Sequence, residues 1–169
     1  MNRTEIIKKV STYFKVKELV CSHIYNKWGE ASWQFIDTSY LETLLVIRRD
    51  IIRMPMLCNN DSMSQRGVRC NLCKLVKSKS TPYLSAHVLG KAGDFTVIGL
   101  SAEQARQRIL ENAELLPHPI RMEANVSWLH IDVLPQWGVK EKIHFFNGVI
   151  QATVLPKSVN IPINPDDLV

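Results

Sequence analysis

No apolar run in this chain of 169 residues approaches the length of a membrane-spanning helix; the longest, Leu44 to Ile47, falls far short. The opening residues, M-N-R-T-E-I-I-K-K-V, hold no apolar stretch of signal-peptide length, so synthesis as a cytoplasmic species is expected. Internal repeats and low-complexity segments are absent. Cysteine is sparse, at Cys21, Cys58, Cys70 and Cys73, and Cys70-Asn-Leu-Cys73 is the lone C-x-x-C. A zinc ribbon needs a second such pair. That leaves either reduced, partly buried thiols or a single knuckle of Cys58, Cys70 and Cys73. Aromatic residues are not interleaved with basic ones, which argues against a stacking platform for nucleic acid.

What is present is the composition of a globular protein, with 46% hydrophobic and 22% charged residues. The length suits one domain over residues 1–169, with a core from about 14 to 154 and an extended tail from 155 to 169. A chain of this size buries roughly 70% of its unfolded surface and needs no metal merely to fold. The net charge of +5 favours an anionic partner such as bacterial cell wall, nucleic acid or membrane. That charge is scattered, however, with Arg48-Arg49 and Lys74 to Lys79 the only dense patches, so a solvated surface is the simpler reading.

The order of elements follows from periodicity and punctuation. Ile6, Ile7, Val10 and Phe14, then Leu19, Val20 and His23, fall at helical spacing, so residues 1 to 27 read as one or two short helices. After a turn at Gly29, Asp37-Thr38-Ser39 offers capping oxygens for a helix from Leu41 to Ile52 that Pro55 stops. Met54 to Asn60 reads as a strand entering a polar, basic loop from Asn59 to Ser80. A loop this long suggests function, and Arg66 or Arg69 could reach a site from it. Asp94 to Val97 has strand character. Ser101 with Gln104 forms a capping box for a helix through Leu116, with Glu103, Arg106, Arg108 and Glu111 on its exposed face. Arg121 to Val133 reads as one strand bulged near Asn125, followed by a turn at 136–138. Lys142 to Phe146 and Val149 to Val154 flank Asn147-Gly148, a hairpin signal. Helices, then strands mixed with one helix, indicate an α+β fold with a mainly antiparallel sheet.

The chemistry gathers in S-A-H-V-L-G-K-A-G-D, Ser85 to Asp94, and in W-L-H-I-D, Trp128 to Asp132. His87 stands in a turn that Gly90 makes permissive, Asp94 opens a strand, and His130 lies within another. If those strands are neighbours, two imidazoles and a carboxylate meet on one face. That is the donor set of a catalytic zinc ion with a fourth position open. Taken singly, His130 reads as a packed, hydrogen-bonded strand residue and Asp94 could be a cap or turn residue, and His23, His118 and His144 read as packed, hydrogen-bonded histidines.

The pattern S-x-H-x-x-G-x-A-x-D with the later W-x-H closely resembles the M15 family of zinc peptidases. These are D-Ala-D-Ala carboxypeptidases, dipeptidases and L-alanyl-D-glutamate endolysins that share the Hedgehog fold. The resemblance reaches from roughly Phe14 to Phe146 and includes a preceding leucine-rich helix and an arginine–asparagine element, in altered spacing, at Arg69 to Asn71. It implies a Hedgehog-like fold with flanking helices, Zn²⁺ on His87, Asp94 and His130, and substrate contacts from Ser85 and Arg69. Several family members carry an acidic general base three positions before the last histidine. Here that position is Ser127, and Glu123 is the nearest upstream carboxylate, so the role passes to Glu123. Asp132 is expected to orient a ligand. The implied activity is hydrolysis of amide bonds in the peptide stem of peptidoglycan, by a monomeric phage or prophage lysis enzyme released to the wall by a holin-type system, without nucleic acid or membrane insertion. The alternatives are a catalytically inactive cell-wall binding protein of the same fold and, more remotely, a nucleic-acid module with a cysteine knuckle.

Overall fold

Helix α1 (Arg3–Val10) starts where the Asn2 side chain accepts the Glu5 N–H while the Glu5 carboxylate accepts the Asn2 N–H. Its Ile6 and Val10, one turn apart, are buried. In the computed structural model, which describes residues 1–135 and 141–147, two more short helices follow, α2 (Val16–Leu19) and α3 (Ser22–Trp28). The region expected to hold one or two helices thus holds three. A 3₁₀ segment (Gly29–Phe35) leads to α4 (Thr38–Val46), whose first turn is capped by the Asp37 carboxylate accepting the Tyr40 N–H at 3.1 Å. The chain then widens into a π-helical stretch, Ile47–Ile52, which ends at Arg53 in the left-handed region (φ 60°), two residues before Pro55.

Among the described residues five strands form one mixed sheet in the order β1-β2-β4-β3-β5: β1 (Met56–Leu57), β2 (Ala92–Val97), β3 (Ile120–Ala124), β4 (Leu129–Asp132) and β5 (Ile143–Asn147). The pairs β1–β2, β2–β4 and β3–β4 are antiparallel, and β3–β5 is parallel. Between β1 and β2 lie the long loop, with a single helical turn α5 (Lys74–Lys77), and the turn carrying His87. Between β2 and β3 lies α6 (Ala102–Glu111), opened by the Ser101–Gln104 capping box.

Side chains alternate between the two faces of a strand. One face of the sheet presents Phe95, Val97, Ile120, Met122, Leu129 and Ile131, which join Leu41, Leu44, Ile47, Ile52 and Ile109 in a single buried core. Phe95 is fully buried and tilts against Phe14 at 6.0 Å between ring centroids. Phe95→Ala is expected to cost about 3–5 kcal/mol, read as a lower denaturant midpoint. An unchanged midpoint would place the core elsewhere.

Several expectations need correction. Arg121 to Val133 is two strands, because Asn125 takes a left-handed conformation (φ 61°) that asparagine tolerates, and the chain turns there instead of bulging. Arg106 is buried, not on the exposed face of α6. Its guanidinium donates to the carbonyls of Glu123, Val126 and Trp128, and thereby holds the β3–β4 turn. The helix expected to reach Leu116 stops at Glu111, and a 3₁₀ turn (Ala113–Leu115) follows. The strand expected over Met54 to Asn60 contracts to two residues. Ile143–Asn147 pairs in parallel with β3; its expected hairpin partner, the 136–138 turn and the 155–169 tail lie outside the described residues. Among the described residues no helix is long and apolar enough to cross a membrane.

Candidate metal centre

The second face of the sheet is polar because the alternation that buries Leu129 and Ile131 turns His130 and Asp132 the other way. Asp94 on β2 lies directly opposite His130 on β4, and Arg121 on β3 lies opposite Asp132. Glu123 shares the face with Arg121, two residues along. His87 comes from the turn before β2. That turn needs Gly90, whose φ is +72° and whose missing Cβ would collide with the Phe35 carbonyl.

The side chains of His87, Asp94 and His130 each offer a ligand atom, and these atoms all lie within 4.8 Å of one another. His130 Nδ1 is 2.7 Å from Asp94 Oδ1, and His87 Nε2 is 3.4 Å from Asp94 Oδ2. The three residues are only 5%, 8% and 6% exposed, so the group sits at the bottom of the polar face yet still touches solvent. Among the described residues no fourth histidine, cysteine or carboxylate joins it.

The outer nitrogen of each imidazole is engaged. His87 Nδ1 lies 2.9 Å from the Gly67 carbonyl, to which it can only donate, so Nε2 is left as the donor atom facing Asp94. His130 Nε2 lies 2.8 Å from Asp132 Oδ2, which leaves Nδ1 facing inward. Asp132 is fully buried and is itself gripped by Arg121 through two hydrogen bonds, at 2.8 and 3.0 Å. Carboxylate or carbonyl partners on the far nitrogen are the usual way a protein fixes ring orientation at a metal.

Electrostatics follow from these contacts. Burial works against charge on His130, but Asp132 and Asp94 outweigh it and raise its pKa to about 9. Burial likewise works against charge on Asp94, yet hydrogen bonds from His130 and His87 hold its carboxyl well below the usual range. Asp132 is lowered in the same way by His130 and Arg121, against burial. The arrangement is a preformed carboxylate–imidazole cluster in which a divalent cation can take the place of a proton between His130 and Asp94.

No family model, curated protein or solved structure matches this chain.

The remaining residues singled out in the sequence are placed as follows. Arg69 reaches the cluster, with Nη2 3.3 Å from Asp94 Oδ2, and its Nε donates to the Gln65 carbonyl. Arg66 turns away to the Thr96 hydroxyl, but its backbone carbonyl accepts the Asp94 N–H at 2.8 Å. Ser85 supports the turn locally, where Oγ accepts the Val88 N–H at 3.4 Å. Glu123 is half-buried, and burial raises its pKa, although the charge on His130 opposes the rise. Arg121 escaped sequence reasoning, though its place in alternation with Met122 and Glu123 could have flagged it. His118 bonds Glu42 at 3.0 Å, away from the cluster.

Cys58 does not belong with Cys70 and Cys73. It is buried in the core, and burial pushes its thiol far up. Cys70 and Cys73 instead meet Cys21 and His23, whose ligand atoms with theirs also lie within 4.8 Å of one another. His23, expected to be packed, is exposed.

Proposed function

We propose that this chain is a zinc-dependent peptidase that hydrolyses amide bonds in the peptide stem of bacterial peptidoglycan, with the Hedgehog-like fold of the M15 peptidases it resembles. The observation that carries the reading is the convergence of His87, Asp94 and His130 from a turn and two neighbouring strands, with one inward-facing ligand atom each. Two nitrogens and one oxygen suit zinc, and three protein ligands are the number catalytic sites use. Among the described residues three strand pairs are antiparallel and β3–β5 is parallel.

Zn²⁺ held there would polarise a substrate carbonyl and acidify water. Glu123 then has a defined task. Its carboxylate takes the proton of the attacking water and delivers it to the amine nitrogen as the C–N bond opens, leaving a carboxylate and a free amine. Burial raises its pKa, which makes its carboxylate a stronger base. Arg69, already in the cluster, and Ser85, on the turn that carries His87, are assigned to the peptide. Asp132 and Arg121 hold the His130 ring with Nδ1 toward Asp94, where it would serve as a ligand. The +5 net charge suits an anionic wall.

Digestion of purified sacculi and synthetic stem peptides, with product masses, tests the activity and shows whether D-Ala-D-Ala or L-Ala-D-Glu is cut. Glu123→Gln is expected to lower kcat by about 10²–10⁴-fold with metal content unchanged. Undiminished turnover in that variant would remove Glu123 from the mechanism. Ser127, where a carboxylate stands in several M15 peptidases, favours a second reading, a wall-binding protein without catalysis. Sacculus binding by the wild type with no released fragment would establish it.

A further inference from the structure

A second group of metal-binding side chains lies outside this centre. We infer that Cys21, His23, Cys70 and Cys73 form a closed, tetrahedral Cys₃His zinc site that fastens the long loop to the start of α3. The spacing is chelating at both ends: Cys21-Ser-His23 on one segment and Cys70-Asn-Leu-Cys73 on the other. Nearly fifty residues separate the two, yet the fold brings them together. Cys21 Sγ is 3.6 Å from Cys70 Sγ, and Cys73 Sγ is 3.9 Å from His23 Nδ1. Zinc–sulfur bonds of about 2.3 Å in a tetrahedron put neighbouring sulfurs about 3.8 Å apart. A disulfide would need about 2.05 Å. All four cysteines are free.

The backbone is shaped for the same end. Cys21 stands at the N-cap of α3 and Cys73 at the N-cap of α5, and neither spends its side chain on capping. The Cys70 N–H points at Cys73 Sγ at 3.4 Å, a contact that stabilises a thiolate. Four protein donors leave no open position, which marks a structural site. His23 and Cys73 line a surface hollow of about 510 Å³ through which the ion can enter.

The position of this site gives it a consequence for the first centre. Val20 and Val68 form a parallel bridge, with Val68 N–H donating to the Leu19 carbonyl and Cys21 N–H to the Val68 carbonyl, both at 2.8 Å. The stretch so anchored supplies the Arg66 carbonyl to Asp94, the Gly67 carbonyl to His87 and the Arg69 guanidinium to Asp94. Fastening Cys70 and Cys73 to α3 therefore fixes the backbone against which two ligands of the first centre are oriented. Only this last link rests on the peptidase reading; binding at the cysteines does not.

The test uses the full chain, purified under a non-thiol reductant and loaded with Zn²⁺ or Co²⁺. Wild type is expected to hold two zinc ions per chain, and Cys70→Ser and His87→Ala one each. Because the first centre contains no sulfur, thiolate-to-cobalt charge transfer reports the second site alone. That absorption should appear in wild type and His87→Ala and vanish in Cys70→Ser. If Cys70→Ser fails to fold, the wild-type spectrum decides. No thiolate absorption from Co²⁺-loaded wild type, or a Cys21–Cys70 disulfide in the reduced preparation, overturns the inference. Thiolate absorption with no metal at the histidine cluster would sustain it while sinking the peptidase reading.

Discussion

His87→Ala is expected to lower the proposed stem-peptide hydrolysis by about a thousandfold or more, to the background rate, and to remove one equivalent of the proposed zinc. The magnitude follows from the several kcal/mol that a Lewis acid contributes, at about 1.4 kcal/mol per factor of ten. His87 offers one of three ligand atoms, and among the described residues no fourth side chain of ligand type lies within the group. The fold should survive, because the imidazole belongs to the polar face and the core lies on the other side of the sheet. What the variant leaves behind is the Gly67 carbonyl without its donor, a loss of about 1–3 kcal/mol at most. Metal analysis, turnover and a thermal melt on one preparation check the prediction. Full zinc load with ordinary turnover would remove His87 from the centre.

Asp132→Ala should do more damage to the protein and less to the chemistry. Asp132 is fully buried and accepts from Arg121 twice, from the Leu134 N–H, and from His130 Nε2. Removing it strands two cationic partners. Losing one member of a buried ionic network costs about 3–5 kcal/mol, and the lower end applies here because the Arg121 side chain, 19% exposed, can turn to water. His130 would also lose the group that fixes its ring, so zinc affinity should fall about 10–100-fold. Urea unfolding of the metal-free protein reads the first effect, and competition with a chromophoric chelator reads the second. Wild-type values in both would show that Asp132 neither supports the sheet nor orients the ligand.

These two residues also show what the amino-acid sequence could and could not disclose. Local alternation marks Asp94 and His130 as strand residues, and Asp132 follows two residues on, but the grouping with His87 comes from the M15-like motif, since periodicity does not say that β2 and β4 are neighbours. Two further features depended on distant pairing. Asn147-Gly148 is a genuine turn signal, yet it says nothing of the parallel partner that β5 finds in β3. Helical spacing placed Arg106 outward, because spacing counts Cα positions and ignores the reach of a long side chain to the carbonyls of the β3–β4 turn. His23 is absorbed into a helical apolar pattern, and Cys21 reads as one of the reduced thiols. A Cys-x-His before a Cys-x-x-Cys carries the information, but it takes the Val20–Val68 bridge and the contacts across it to show that the two belong together.

The strand order has a consequence for the newborn chain. β4 lies at the middle of the sheet but leaves the ribosome after both of the strands it separates, β2 and β3. Until it inserts, β2 keeps an open hydrogen-bonding edge with Phe95 beside it, a state in which nascent chains stick to one another. Translation halted short of Leu129 thus yields a product without its central strand, and a chaperone would have to shield that gap until synthesis resumes.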